Sequence, residues 1–234
     1  VAGADPADPT TLVAPVPDYV AQLSQPVSRL RIGVPRQWLA QGVEAGLLDA
    51  IENALGIYAG LGARISDFSL APEPELVDRW YDICTAHVAL VHAENFARHR
   101  ETYSEPLALA IETGRALPVE RLQRAYRYRT EFAGRLAHAM ADVDLIAVPA
   151  IPTAPPTRAA VEAMDNETMF ALHRFTSPFS MAGVPTITLP CGVTPDGLPY
   201  AIQLVAKPLA EPMLLNAAHA LQTVTEHHRR FALP

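Results

Sequence analysis

The stretch Asp144-Leu145-Ile146-Ala147-Val148-Pro149 decides the fold class. An apolar run without polar alternation reads as a strand buried on both faces, which requires a sheet covered by helices on either side. Pro149 ends it, and Pro152, Pro155 and Pro156 follow, so the strand empties into a rigid loop. Upstream, Leu30-Arg31-Ile32-Gly33-Val34 before Pro35 reads as a short strand. Leu47, Leu48, Ile51, Leu55 and Tyr58 then recur at three- and four-residue steps. That spacing predicts an amphipathic helix ending around Gly60-Leu61-Gly62. A second strand near Ala63 to Phe68 completes a βαβ unit.

Between these strands and Asp144 the pattern is helical. Leu76, Trp80, Ile83, His87, Val88 and Val91 predict one long helix from Glu75 into the His99-Arg100 region. A shorter helix from Pro106 to Thr113 is expected to stop at Gly114 in a left-handed cap. Pro118 suits the first turn of another long helix, whose apolar stripe is Val119, Leu122, Tyr126, Phe132, Leu136 and Met140.

Beyond the proline loop, Pro185 to Pro190 and Tyr200 to Val205 read as two strands, and Thr194-Pro195-Asp196-Gly197 supplies the turn between them. Met213, Leu214, Ala217, Ala218, Leu221 and Val224 lay out a closing helix. Residues 1–29, with Pro6, Pro9, Pro15, Pro17 and Pro26, read as an extended connector. The alternation of element types predicts a single α/β unit, a mixed β-sheet flanked by helices.

At 234 residues and 50% hydrophobic, the chain is long enough to bury roughly 70–75% of its unfolded surface. A formal charge of −7 and a pI near 5.6 argue against a nucleic-acid surface, because phosphate contacts need clustered cations. Arg121, Arg124, Arg127 and Arg129 alternate with Leu122, Tyr126 and Phe132, as on the solvated face of a helix. No run approaches the ~18 uninterrupted apolar residues of a membrane span. Cys84 and Cys191 are the only cysteines, so a reducing, cytoplasmic setting is expected and no disulfide scaffold. The chain opens on Val1 with no secretory pattern, and is expected to begin inside a longer protein.

Several segments together carry a family resemblance. Phe175-Thr176-Ser177-Pro178-Phe179-Ser180-Met181-Ala182-Gly183-Val184-Pro185, followed by Thr186-Ile187-Thr188-Leu189-Pro190-Cys191-Gly192, resembles a block of the amidase signature family. Gly197-Leu198-Pro199-Tyr200-Ala201-Ile202-Gln203-Leu204-Val205 is similar to its "GLPVGLQLIG" segment, and Glu211 with Leu214-Leu215 stands where its closing helix begins. Asp144 to Pro149 with Pro152-Thr153-Ala154-Pro155-Pro156, Asp5 to Thr10, and Arg31 to Pro35 match further segments in the same order. The resemblance implies an α/β/α fold, with residues 30–234 the C-terminal portion of one amidase-signature domain and 1–29 a connector from an N-terminal half. It also implies amide hydrolysis or transfer through an acyl-enzyme. In the family the resemblance points to, a serine is the nucleophile, activated through a second serine in a cis peptide by a buried lysine. Those three precede the matched region, so no catalytic residue is expected within this chain.

The residues agree with that expectation. A lysine base must be desolvated before its pKa falls toward neutrality, and arginine cannot replace it. The only lysine is Lys207, just before Pro208 at a strand end, in a position that is variable and usually exposed in the family. Ser177 and Ser180 lie near His173, with Asp196 as a third member, yet neither serine sits in a Gly-x-Ser-x-Gly elbow. His87 and His92 are five apart and fall on different helix faces; no metal or other cofactor is expected. His227-His228 beside Arg229-Arg230 reads as a solvated helix end, and Cys191 as a small buried residue.

By resemblance, the loop Phe175 to Gly183 borders the acyl pocket, with Phe175, Thr176, Phe179 and Met181 as candidate substrate-binding residues. Phe179 reads equally as a limit on substrate size and as ordinary core. Members that use glutamine, such as the A subunit of the amidotransferase, grip the amino acid with charged groups from this half; here His173 and Arg174 stand where a carboxylate would serve. Three readings remain open: hydrolysis of a small or aryl/alkyl amide by the full-length protein, a role like that of the glutamyl-tRNA amidotransferase A subunit, and a non-catalytic α/β binding module. The expected partners are a small-molecule amide and either the N-terminal half or a second copy of the chain, with no nucleic acid and no membrane.

Overall fold

In a computed structural model, residues 3–70 and 72–230 are described. Residues 3–29, expected to be extended, instead make hydrogen-bonded turns between Asp5 and Thr11 and one turn of helix, α1 (Tyr19–Gln22), capped by the Asp18 carboxylate. Then follow β1 (Arg31–Val34), α2 (Arg36–Leu39), α3 (Ala45–Gly60) and β2 (Arg64–Asp67). The helical middle holds α4 (Leu76–Val91), α5 (Ala93–Arg98), α6 (Glu105–Ala116) and α7 (Val119–Ala139). Next come β3 (Leu145–Pro149), α8 (Arg158–Glu162), α9 (Asn166–Leu172) and α10 (Ser177–Ala182). The chain closes with β4 (Thr186–Val193), β5 (Pro199–Ala206) and α11 (Glu211–Thr223).

The strands form one sheet in the order β2-β1-β3-β5-β4. β1 pairs in parallel with both β2 and β3, while β5 is antiparallel to β3 and to β4. The predicted βαβ unit and hairpin are therefore both present. β3 is buried along its whole length, as its apolar run requires. α3 and α11 pack on β4 and β5 and on each other, joined by the Tyr58 hydroxyl donating to the Ala217 carbonyl at 2.9 Å. α4, α7 and α10 pack together as a second layer.

What joins the two halves of the sheet is local to the strand starts. Arg31 Nε and Nη2 donate to Asp144 at 3.1 and 2.7 Å, the Arg31 amide donates to the same carboxylate at 2.9 Å, and the Asp144 amide returns a bond to the Arg31 carbonyl at 2.8 Å. This fork pins β1 to β3 in register. Arg31, donating hydrogen bonds, together with its charge and the amide, holds the Asp144 carboxyl below the usual aspartate range.

Three further expectations differ from the structure. The long helix from Glu75 breaks at His92, whose ring bonds the Tyr103 hydroxyl at 3.0 Å while Phe96 meets Tyr103 edge-on at 5.1 Å. That turns the chain so that α6 returns along α4, closing a small second core of Ala89, Phe96, Ala108 and Ile111. Gly114 is not a cap, since α6 continues through it to Ala116. It is the point of closest approach: a Cβ there would stand 2.0 Å from the Thr85 carbonyl oxygen. The arginine-rich face of α7 is exposed as expected, but Arg121 also clasps Asp82 of α4, whose side chain is only 3% exposed, through two 2.8 Å bonds. The remaining terminal stretches, 1–2 and 231–234, lie outside the described residues, as does position 71.

Two outcomes follow. Gly114→Ala, helpful in an ordinary helix, lowers stability by about 1–3 kcal/mol because the methyl group meets backbone; chemical denaturation measures it, and an unchanged or raised midpoint refutes the close contact. Asp144 has a depressed folded pKa, so its contribution is present above the unfolded value near ~3.9 and is lost as pH falls through the lower folded value. Asp144→Asn should therefore lower stability at neutral pH and flatten the acid limb of the stability profile, read from midpoints between neutral and strongly acidic pH.

Candidate functional site

The carboxyl ends of β1 and β3 lie together beside the amino end of β5, where Pro149 pairs with Ile202. β1 continues through α3 to β2 on one side, and β3 lies on its other side, so the connections diverge between them. In open α/β sheets this end, at that divergence, is where ligands settle.

Two loops leave this end and are tied to each other. Glu44, at the start of α3, donates its amide to the Pro152 carbonyl at 2.9 Å, and its carboxylate accepts from the Ala154 amide at 2.9 Å. The same carboxylate accepts the Tyr200 hydroxyl from the hairpin. The Tyr200 phenol, then the Ala154 amide, hold the Glu44 carboxyl below the usual carboxylate range. Glu44 thus fixes the post-β3 loop against both α3 and β5.

The segment expected as a loop over Phe175 to Gly183 is mostly helix. Thr176 occupies the N-cap position of α10, Pro178 sits in the first turn where no amide donor is needed, and Gly183 closes it at φ 68°. Phe175 is gripped from three directions. Its ring lies 4.4 Å from that of Trp38 on α2, the Arg174 guanidinium stands 4.4 Å from its centroid, and the buried Gln203 of β5 donates to its carbonyl at 2.8 Å. Arg174 Nη2 also donates to the Trp38 carbonyl at 3.1 Å.

Of the four candidate residues, Phe175, Phe179 and Met181 are enclosed, with Phe179 1% and Met181 2% exposed. Arg129 Nε donates to the Met181 carbonyl at 3.1 Å, tying α10 to α7. Thr176 alone keeps part of its side chain open. The four come from one short segment, so the structure brings them together around α10. Sequence reasoning missed Trp38 and Glu44, whose roles depend on partners more than 100 positions away: Phe175 for one, Ala154 and Tyr200 for the other.

The other nucleophile and base candidates sit elsewhere or are occupied. Ser177 is buried and its hydroxyl donates to the His173 backbone carbonyl at 2.8 Å, while the His173 ring packs on Trp80 at 5.1 Å. Burial lowers the His173 pKa, favouring the neutral ring. Burial pushes the Cys191 thiol up to about 12, so it is protonated at neutral pH. Lys207 follows β5 directly after Ala206, which pairs with Leu145 at the start of β3. It therefore lies at the opposite end of the sheet from Glu44 and Trp38. His87 and His92 each bond a different tyrosine, Tyr126 and Tyr103. Among the described residues no group of three His, Cys, Asp or Glu could hold a metal ion, and no helix is long and apolar enough to cross a membrane.

Similar proteins were found on three levels. A profile of the Amidase family matches residues 1–215. The chain is 32% identical, over 260 residues, to the A subunit of the glutamyl-tRNA(Gln) amidotransferase of Geobacter sp. (strain M21), an alignment covering 99% of this chain and 53% of that protein. The protein of the same name from Chloroflexus aggregans is 31% identical, with 98% of this chain and 51% of that protein covered. The chain thus spans about half the length of the curated relatives it matches. It superposes with a TM-score of 0.77 and 26% identity on a chain of a vestigial protein complex bearing on the origins of an s-triazine catabolic enzyme, covering 94% of this chain and 49% of that one. The A subunit of the Thermotoga maritima glutamyl-tRNA(Gln) amidotransferase, at 23% identity, shares the fold, with a TM-score of 0.75 over 95% of this chain and 48% of its own. With a profile that runs through every strand and through the Phe175 block, this chain belongs to the Amidase family.

Proposed function

We propose that this chain is the carboxy-terminal part of an amide hydrolase, completing the sheet and one wall of the pocket while the attacking serine comes from the preceding part of the protein. In this reading residues 1–29 are the connector and 30–234 a portion of a single domain. The observation that carries it is the family match over residues 1–215 in a chain half as long as its relatives. The chain's own chemistry supports it: the one lysine is at the wrong end of the sheet, the buried serine bonds backbone, and the buried thiol is protonated.

In the intact protein the attacking serine would add to the amide carbon and pass its proton through the second serine to the lysine, with backbone amides holding the oxyanion. Phe175, Thr176, Phe179 and Met181 form the wall from this half. The three enclosed side chains set its shape, and Thr176 keeps a partly open side chain whose hydroxyl donates to the His173 carbonyl at 3.3 Å. Two free cysteines accord with a cytoplasmic setting. β4, an eight-residue strand at the sheet edge, is the natural seat for the preceding part of the protein or for a second copy.

The second reading, transfer of ammonia from glutamine within an assembly, is favoured by the names of the curated relatives. It needs a grip on the amino acid other than a carboxylate just before Phe175, because His173 and Arg174 stand there.

The coding sequence ahead of Val1 should specify a lysine segment and a Gly/Ser-rich loop with paired serines; a nearby start codon instead would favour a non-catalytic module. The isolated 234-residue chain should release no ammonia from simple amides, whereas the full-length protein does and keeps its rate after Lys207→Ala. Turnover by a preparation shown by mass spectrometry to contain only this chain would overturn the assignment. On size exclusion the isolated chain should run larger than its 25.3 kDa or carry an amino-terminal fragment, and a monodisperse monomer would count against the open-edge argument.

A further inference from the structure

Two loops border the crevice between the carboxyl ends of β1 and β3: the one that leaves β1 and enters α3, and the proline-rich one that leaves β3. Where the connections of adjacent parallel strands diverge, the spacing of such loops shapes the place a ligand occupies. Glu44 spans them. It stands at the N-cap position of α3, yet its side chain makes no capping bond to that helix. Both carboxylate oxygens are spent on other segments instead. Oε2 accepts the Ala154 amide at 2.9 Å, Oε1 accepts the Tyr200 hydroxyl, and the Glu44 amide donates to the Pro152 carbonyl at 2.9 Å.

The neighbouring residues are fitted to this tie. Tyr200 lies against the first turn of α3 where residue 46 is glycine, and a Cβ there would stand 2.7 Å from the phenol oxygen. Pro152, Pro155 and Pro156 stiffen the tethered loop, so an anchor at Ala154 places the whole stretch rather than one residue. The excursion that starts with this loop returns to the same turn of chain, where Arg174 donates to the Trp38 carbonyl and the Phe175 ring meets that of Trp38. Residues 38–44 thus receive both ends of the segment that leads from β3 to the candidate pocket wall.

We propose that Glu44 is a positioning residue for amide hydrolysis: by holding the loop after β3 at a fixed distance from the turn between α2 and α3, it sets the width of the crevice that receives the substrate. This rests on the amide-hydrolase reading. Glu44 acts through Ala154 and Tyr200, not on the reacting atoms. Its loss therefore weakens substrate binding and relaxes size selection, while the bond-breaking step, whose groups come from the preceding part of the protein, keeps most of its rate.

The test is steady-state kinetics of the full-length protein on unbranched alkyl amides from acetamide to hexanamide. Glu44→Ala should raise KM about tenfold on the best substrate with kcat changed less than about threefold, and should shift relative kcat/KM toward the longer members. Glu44→Gln keeps an acceptor oxygen and should recover part of the loss. Tyr200→Phe should raise KM by less, and should add nothing further when combined with Glu44→Ala, since both act through one carboxylate. Hydrogen exchange should quicken over residues 150–156 in Glu44→Ala and stay unchanged in β3 and α10, which shows that the variant is folded. Unaltered KM and size preference in Glu44→Ala would overturn the inference, as would a loss confined to kcat or independent, additive effects of Glu44→Ala and Tyr200→Phe. No turnover of any member by the wild type would sink the hydrolase reading, whereas wild-type turnover with an indifferent Glu44→Ala sinks this inference alone.

Discussion

The Arg31–Asp144 fork is the constraint on which the sheet depends. Its partners are 113 residues apart, with the whole helical middle between them, yet they fix the start of β1 against the start of β3 through side chains and backbone alike. A one-residue slip would exchange the faces of a strand, but β3 is apolar on both, so burial pattern alone cannot set its register. A bidentate ion pair at the strand start can. Once β3 is placed, β5 and β4 follow through antiparallel ladders, and the carboxyl ends of β1 and β3 are brought level.

The two ends of the sheet then have different characters. The end with Asp144 and Lys207 holds charged residues, with Asp144 engaged in holding strands together. The other end gathers Trp38, Glu44, Arg174, Phe175 and Tyr200 from separate parts of the chain. There, Glu44, Arg174 and Gln203 bind backbone groups of neighbouring segments, and Tyr200 binds Glu44.

Departures from the sequence reading share a cause. Leu76 to Val91 continues past His92 in periodicity, but Tyr103 captures His92 and Phe96 and ends the helix there. Gly114 has the composition of a stop, yet it is needed within the helix so that α6 can touch the backbone of α4. The Phe175 to Gly183 segment has no long apolar period and reads as loop, while Gln203 beneath it and Arg129 beside it stabilise a short helix. In each case a partner distant in sequence outweighs local propensity.

The sequence by itself determined the α/β class, the βαβ unit, the terminal hairpin and the family, because these rest on local periodicity, turn chemistry and ordered motifs that need no knowledge of distant neighbours. Tertiary structure alone decided which residues meet at the strand ends: Glu44 with Ala154 and Tyr200, Trp38 with Phe175, and Arg174 without a counter-charge among the described residues. Those contacts arise only when strands far apart in the chain are set in register, and no local pattern encodes which side chains will share a surface once that has happened.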